Sequence, residues 1–99
     1  MNINYSFRGF ETHSDGLKDY AGKRLEKIEK MVGQNTLVDV IFIKDKNEKT
    51  TEIKVNHNGD DFFATEKHDE FDASIDFCVD KIYKQLVKAK EKKVDSRKV

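Results

Sequence analysis

The residues with the clearest chemical potential are lysines near the end of the chain. Lys81, Lys84, Lys88 and Lys92 recur at intervals of three or four residues. On a helix this spacing places them within about 80° of each other, opposite the apolar positions. A row of ammonium groups suits a phosphate backbone, because each contact releases condensed counterions. The row therefore predicts contact with a nucleic acid.

An earlier segment of helical periodicity repeats this pattern. Lys23, Lys27 and Lys30 form one edge, offset from the apolar positions of the same segment. If the two helices lie side by side on a sheet, we expect their lysine edges to join into one basic surface.

Charge is also segregated along the last part of the chain. Residues 69–80 contain five acidic and no basic residues, whereas residues 81–99 contain eight basic and two acidic ones, although the formal net charge is zero. Acids at the start of a helix and bases at its end complement the helix dipole, and a lysine-rich face favours solubility. Charge alone therefore leaves nucleic-acid binding and an ordinary solvated face both open.

The remaining polar residues do not indicate catalysis. The three histidines lack ligand spacing, the single cysteine suits a packed thiol, and the spaced aspartates suit a solvated helical edge. These residues are His13, His57 and His68, then Cys78, then Asp72, Asp76 and Asp80. With no glycine-rich phosphate loop either, the sequence predicts no enzyme, no metal, no cofactor and no small-molecule substrate.

Length and composition bound the class of protein. The chain has 99 residues, which fits one domain with a small core. No stretch is long and apolar enough for a transmembrane helix or a signal peptide, and one cysteine allows no internal disulfide. We therefore expect a soluble cytoplasmic protein that does not bind a membrane.

Hydrophobic periodicity predicts the order of elements. Residues 2–8 alternate as a strand, and helical spacing runs from an N-cap at Ser14 to about Gly33, with Gly22 marking a close backbone approach. Strands follow at 37–44, 51–57 and 62–67. They are separated by a polar turn at 45–49 and an Asn58-Gly59 hairpin, and a helix then starts near residue 69 or 70.

This order predicts an α+β fold. We expect a β-α-β-β-β-α two-layer sandwich, with a four-stranded, mostly antiparallel sheet and two helices packed on one face. The strand at 37–44 is apolar on both faces and should be central. Residues 1–94 would form a single domain and residues 95–99 a short polar C-terminal tail.

Motifs in both predicted helices resemble the ribosome hibernation promoting factor family, which includes ribosome-associated inhibitors and sigma-54 modulation proteins. The last helix reads Glu70-Phe71-Asp72-Ala73-Ser74-Ile75-Asp76, then Asp80-Lys81-Ile82, Gln85-Leu86 and Lys88-Ala89-Lys90. The family's last helix has D-x-Y-A-A-I-D, D-K-L, Q-L and K-x-K. The first helix reads Asp19-Tyr20-Ala21, Lys23-Arg24-Leu25 and Lys27-Ile28-Glu29-Lys30, and Val55-Asn56 precedes the hairpin.

The resemblance covers residue 2 to about residue 94 and implies the fold order given above. It implies a non-enzymatic factor that contacts ribosomal RNA through basic residues of both helices. Such factors bind the small ribosomal subunit in the channel for messenger and transfer RNA, and silence and protect idle ribosomes in stationary phase or stress. The residues carried over are Lys81, Lys84, Lys88 and Lys90 on the last helix, and Lys23, Arg24, Lys27 and Lys30 on the first.

Some features depart from the family pattern. Asp72 stands where the family usually has Tyr, and the hairpin at residues 56–61 is about two residues longer. Lys92 falls where the family is variably basic. The sequence ends where long members add a second domain, so the resemblance implies the short form, monomeric away from the ribosome.

Two other functions remain open from the residues. A small sheet with two helices also serves general double-stranded-RNA-binding modules. A protein–protein adaptor would use the open face of the sheet.

Overall fold

The alternating and helical patterns of the sequence form four strands and two helices within residues 1–98. The structure is a computed structural model that describes the backbone of residues 1–98 and the side chains of residues 1–91. The elements are β1 (Asn2–Arg8), α1 (Asp15–Val32), β2 (Leu37–Asp45), β3 (Glu48–His57), β4 (Asp60–His68) and α2 (Phe71–Lys98). This order confirms the predicted β-α-β-β-β-α arrangement. The predicted tail at 95–99 lies outside the residues whose side chains are described.

The strands form one mixed sheet in the order β1-β2-β3-β4. The β1–β2 pair is parallel, whereas β2–β3 and β3–β4 are antiparallel. A parallel pair needs a crossover connection, and α1 supplies it. As predicted, β2 is a central strand, but its outer face is open to solvent and Leu37 is 54% exposed.

The core lies between the helices and the inner face of the sheet. α1 contributes Leu25 and Ile28, the strands contribute Phe42 and Ile53, and α2 contributes Ile82, all fully buried. Burial of a large aliphatic or aromatic side chain stabilises a fold by about 1.5–3 kcal/mol. The two helices are therefore held on the sheet by the apolar stripes that the sequence pattern predicted.

Polar groups inside this core are paired. The hydroxyls of Thr51 on β3 and Ser74 on α2 lie 2.8 Å apart, and Ser74 also donates to the Phe71 carbonyl oxygen at 3.1 Å. Among the described side chains, no buried nitrogen or oxygen lacks a hydrogen-bond partner. Paired hydroxyls avoid the free-energy cost of a buried unsatisfied group and fix α2 over β3.

The ends of α1 follow the capping signals of the sequence. Ser14 has an extended backbone, and its hydroxyl accepts from the Leu17 N–H at 3.3 Å. At the other end Gly33 has a φ of 75°, and its N–H donates to the Glu29 carbonyl oxygen at 3.0 Å. Both caps confirm the predicted bounds of the helix.

One predicted turn is too long. The polar run at 45–49 suggested a turn of that length, but Asp45 pairs with Glu48 and the turn contains only residues 46 and 47. Strand pairing continues through exposed polar residues here, so hydrophobicity does not mark where the strands end. The Asn58-Gly59 hairpin is confirmed, with φ values of 54° and 82°.

The predicted close backbone approach at Gly22 is also wrong. A Cβ at this position would meet the Tyr5 hydroxyl at 3.6 Å, which is ordinary van der Waals contact. The position that requires a glycine is instead residue 9. Its φ is +80°, and a Cβ there would overlap the Lys44 carbonyl oxygen, because the loop after β1 runs against the end of β2.

Candidate nucleic-acid interface on the two helices

α1 and α2 lie side by side, and their facing edges form an open groove of about 540 Å³. α1 lines it with four basic side chains and Glu26, and α2 lines it with two carboxylates, Phe77 and Val79. The basic residues are Lys23, Arg24, Lys27 and Lys30, and the carboxylates are Asp76 and Asp80. The lysine edge of α1 therefore faces acidic residues of α2 across the groove, not another row of lysines.

A hydrogen-bonded network at Asp76 joins the two helices. The Tyr20 hydroxyl lies 2.9 and 3.0 Å from the two carboxylate oxygens, and the Arg24 Nε lies 2.9 Å from Oδ1. Arg24 also donates to the Tyr20 hydroxyl at 3.3 Å, with its guanidinium 5.2 Å from the tyrosine ring centroid. The pKa of Arg24 is raised, chiefly by this hydrogen bond to Tyr20 and next by Asp76. In the free protein, Arg24 is thus a helix-joining residue.

Asp80 pairs with lysines of both helices. Its Oδ1 lies 3.6 Å from the Lys27 ammonium, and its Oδ2 lies 3.2 Å from that of Lys84. The pKa of Asp80 is lowered, mainly by the Lys84 hydrogen bond and charge and to a smaller extent by Lys27. The lysine rows of the two helices do meet, but they meet at a carboxylate that offsets part of their charge.

Asp76 and Asp80 were predicted to lie on a solvated helical edge, and the structure differs from this prediction. They are 42% and 45% exposed and face α1, where each accepts from side chains of that helix. Helical spacing predicted the shared face correctly, but it could not show that a second helix lies opposite.

Lys81 turns away from the groove toward the edge strand β4. It forms an ion pair with Glu66, and its ammonium lies 3.5 Å from the Thr65 carbonyl oxygen. Glu66 is only 15% exposed and also accepts from His68 at 2.7 Å, so the pKa of its carboxyl is lowered by the Lys81 hydrogen bond and then by that of His68. One turn later, Gln85 donates to the Phe63 carbonyl oxygen at 2.9 Å. Side chains of α2 thereby occupy the carbonyl groups of an edge strand that would otherwise be open to pairing.

Four lysines that were predicted to contact RNA form no ion pair among the described residues. Lys23, Lys30, Lys88 and Lys90 are exposed, and none of them lies within ion-pair distance of a carboxylate among residues 1–91. Lys90 lines a separate cavity of about 220 Å³ with Met31 and Phe62, near the β3–β4 hairpin. The side chain of Lys92 lies outside the described residues.

The histidines and the cysteine have structural surroundings. His13 stacks on Phe7 with ring centroids 4.8 Å apart, and the His57 Nδ1 lies 3.0 Å from the Thr36 hydroxyl. The Cys78 thiol is fully buried, with its Sγ 3.4 Å from the Thr51 carbonyl oxygen and 3.3 Å from that of Ala64, and burial raises its pKa to about 12. A thiol in this state is not a nucleophile at neutral pH. Within the part of the chain that the structure describes, no cluster of three potential metal ligands occurs.

Sequence reasoning missed two features of this surface. The sequence shows Tyr20 only as part of the first-helix motif, whereas in the structure its hydroxyl reaches Asp76 on the other helix. Phe77 was not singled out at all, yet it is 54% exposed on α2. Its helical position falls in the arc of the lysine row, which was the available signal.

Comparison with known proteins assigns the family. The family described as "Sigma 54 modulation protein / S30EA ribosomal protein" matches residues 3–94. The chain belongs to this family. The resemblance seen in the helix motifs is thereby confirmed. The family is non-enzymatic, in agreement with the interpretation of this chain as a binding protein.

Relatives in two bacteria carry a more specific name. A ribosome hibernation promoting factor of Azotobacter vinelandii is 30% identical over 95 residues, which is 96% of this chain and 88% of that protein. One of Pseudomonas putida is 32% identical over 92 residues, 93% of this chain and 89% of that protein.

Solved structures of similar proteins share the fold. The N-terminal domain of Thermus thermophilus Protein Y superposes with a TM-score of 0.78 at 23% identity, covering 87% of this chain and 96% of that one. A ribosomal subunit interface protein from Coxiella burnetii gives a TM-score of 0.78 at 22% identity, covering 92% and 99%. No helix within residues 1–98 has the length and hydrophobicity to cross a bilayer.

Proposed function

We propose that this protein is a ribosome hibernation factor. It binds the small ribosomal subunit in the channel for messenger and transfer RNA, blocks translation, and protects idle ribosomes in stress or stationary phase. Membership of the family and the names of its relatives support a ribosome-associated role, and with it a cytoplasmic location. Since the family is not enzymatic, the protein acts by occupying a site.

The observation that carries this proposal is the distribution of unengaged lysines on both helices. Lys23 and Lys30 on α1, and Lys88 on α2, are exposed without a carboxylate partner among the described side chains. Lys84 is 72% exposed and shares Asp80 with Lys27. Ammonium groups that are not already paired release counterions when they meet ribosomal RNA phosphates, and this favours binding. Lys27, Arg24 and Lys81 join the contact by exchanging their carboxylates for phosphates.

A salt titration tests the electrostatic part of the proposal. If about five lysines meet phosphates, the logarithm of the affinity for purified small subunits should fall against the logarithm of salt with a slope of roughly −3 to −5. Co-sedimentation at four or five salt concentrations measures this slope. A flat profile contradicts the mechanism and favours an adaptor that binds a protein through the open face of the sheet.

A charge-reversal pair with a matched control tests the site. Lys84→Glu with Lys88→Glu should abolish co-sedimentation while leaving the far-UV circular dichroism intact. The control is Lys46→Glu with Lys54→Glu, which changes the charge equally at exposed positions in the β2–β3 turn and on the opposite face of the sheet. Equal loss in both variants would reject the assignment to the helices.

Competition tests the place of binding on the subunit. Messenger RNA and initiator transfer RNA should displace the protein from the small subunit, because all three would occupy one channel. Equal affinity for any free RNA duplex, without such displacement, would instead identify a general double-stranded-RNA-binding module.

A further inference from the structure

An exposed aromatic ring lies among the lysines of α2. Phe77 is 54% exposed, although phenylalanine is among the residues most often buried. Lys81 and Lys84 follow it by four and seven residues, so all three share one face of the helix. Ala73, one turn earlier, is too short to cover the ring. This position therefore presents an aromatic surface within a basic one.

The ring of Phe77 is stacked on an imidazole. Its centroid lies 5.0 Å from that of His68, and the planes are inclined by 13°. No other ring among the described side chains stacks on it, so the stack with His68 leaves the other face of Phe77 without an aromatic partner, and the residue lines the groove between α1 and α2. An open ring face in a stack is the geometry to which a further planar ring can be added.

Glu66 holds the His68 member of this stack in place. The His68 Nε2 donates to Glu66 at 2.7 Å, and the same carboxylate forms the ion pair with Lys81. Glu66 is 15% exposed and lies on β4, a regular strand. Glu66 therefore fixes the imidazole behind Phe77, so the ring stack costs little ordering when a ligand arrives. Lys81 lies beside the stack, where it can exchange Glu66 for a phosphate.

We propose that Phe77 stacks on an unpaired base of RNA, while Lys81 and Lys84 contact the adjoining phosphates. A nucleotide supplies both a planar ring and an anion, which are the two partners that this surface complements. Base–aromatic stacking beside a basic track is how proteins bind single-stranded RNA. The inference rests on the proposed function and adds to it a contact with an unpaired nucleotide of ribosomal RNA.

The chain offers a matched control in Phe63. This residue is 53% exposed, but it lies on the outer face of β4 beside Lys54 and stacks on no ring among the described side chains. Substitutions at 63 and 77 therefore change equally exposed phenylalanines on opposite faces of the molecule.

A fluorescence experiment tests stacking directly. The chain has no tryptophan, so Phe77→Trp and Phe63→Trp each introduce one reporter. With a twelve-nucleotide oligoadenylate, Phe77→Trp should lose at least about half its fluorescence at saturation, and Phe63→Trp should change little. An abasic oligomer of the same length should leave both unchanged. Equal quenching at both positions, or equal quenching by the abasic oligomer, would overturn the inference.

Affinity for the small subunit gives a second readout. Phe77→Leu retains an apolar side chain without a ring, and it should bind the subunit roughly 5- to 100-fold more weakly than Phe63→Leu, with the salt slope unchanged. Wild-type affinity in Phe77→Leu, with an intact fold by circular dichroism, defeats this inference alone. Failure of the wild-type protein to bind small subunits defeats the proposed function instead.

Discussion

Two regions of the molecule carry the same kinds of basic residue in different surroundings. In the groove between α1 and α2, Arg24 and Lys27 pair with Asp76 and Asp80. Elsewhere along the α1 edge of this groove, Lys23 and Lys30 have no carboxylate partner among the described side chains. Residue type does not separate these regions, but the presence of an acidic partner does.

A count of lysines on a helical wheel therefore overestimates the charge available to a ligand. A cation already held by a carboxylate must give up that partner before it meets a phosphate. An exposed ion pair contributes only about 0–1 kcal/mol to stability, so such an exchange is feasible. The unpaired cations nevertheless gain more from each phosphate contact.

The largest effect is expected when two pairs of basic residues on α1 are compared. Lys23→Gln with Lys30→Gln should lower affinity for the small subunit about 100-fold and reduce the salt slope by about 2. Arg24→Gln with Lys27→Gln should cost binding less, but should lower the free energy of unfolding, because both residues pair with carboxylates of α2. Sedimentation at several salt concentrations and urea unfolding measure the two quantities. The comparison fails if both variants lose affinity equally at unchanged stability.

A smaller effect is expected when the carboxylate of the groove is removed. Asp76→Ala leaves Tyr20 and Arg24 without their shared acceptor, and it should lower the free energy of unfolding by about 1–2 kcal/mol. Affinity for RNA should not fall, because the groove becomes more positive. Glu26→Ala is the control, since Glu26 lines the same groove without an ion pair among the described side chains. Equal stability of the two variants in urea would show that the network does not hold the helices together.

Gly22→Ala separates stability from binding. Because the new methyl group fits beside the Tyr5 hydroxyl, the substitution should raise the free energy of unfolding by about 0.5–1 kcal/mol. It changes neither lysine region, so affinity for the small subunit should stay the same. Urea midpoints together with one sedimentation series check both statements, and a lower midpoint would mean that the space at Gly22 is needed.

The smallest effect concerns the carboxylate that holds Lys81. The pKa of Glu66 in the folded protein lies below its ordinary value of 4.5, so Glu66 binds protons more readily in the unfolded chain. Its contribution to stability is therefore complete above about pH 4.5 and declines as pH falls through the folded-state pKa. In urea titrations between pH 6 and pH 3, Glu66→Gln should show a shallower loss of stability than wild type. Identical slopes would show that the ion pair between Glu66 and Lys81 does not contribute to stability in this pH range.

Much of the fold was predictable because it depends on local periodicity. Alternation in β1 and helical spacing in α1 identify these elements and their buried faces. The turn between β2 and β3 was predicted too long, since its flanking residues are polar on both strands and pair through the backbone. Gly22 and Gly9 could not be told apart, because the space around a glycine is set by other segments.

The candidate site was predictable to a lesser degree. Lysine positions on each helix follow from the sequence, and so does the family resemblance. Whether each lysine is paired does not follow from the sequence. Lys81 on α2 is an example, because its partners Glu66 and Thr65 belong to strand β4. Phe77 is a similar case, because its exposure and its stacking on His68 depend on how α2 crosses the edge of the sheet.

The order of the elements, the buried face of each element and the family can all be read from the amino-acid sequence. These properties follow from hydrophobic spacing and motifs within single segments. Which of the described cations lack a carboxylate partner depends instead on how the helices and strands pack against one another. Asp76 reaches Tyr20 across 56 positions of the chain because two helices pack side by side on one sheet. Whether a charge is paired or available depends on such distances in space, which spacing along a single helix does not contain.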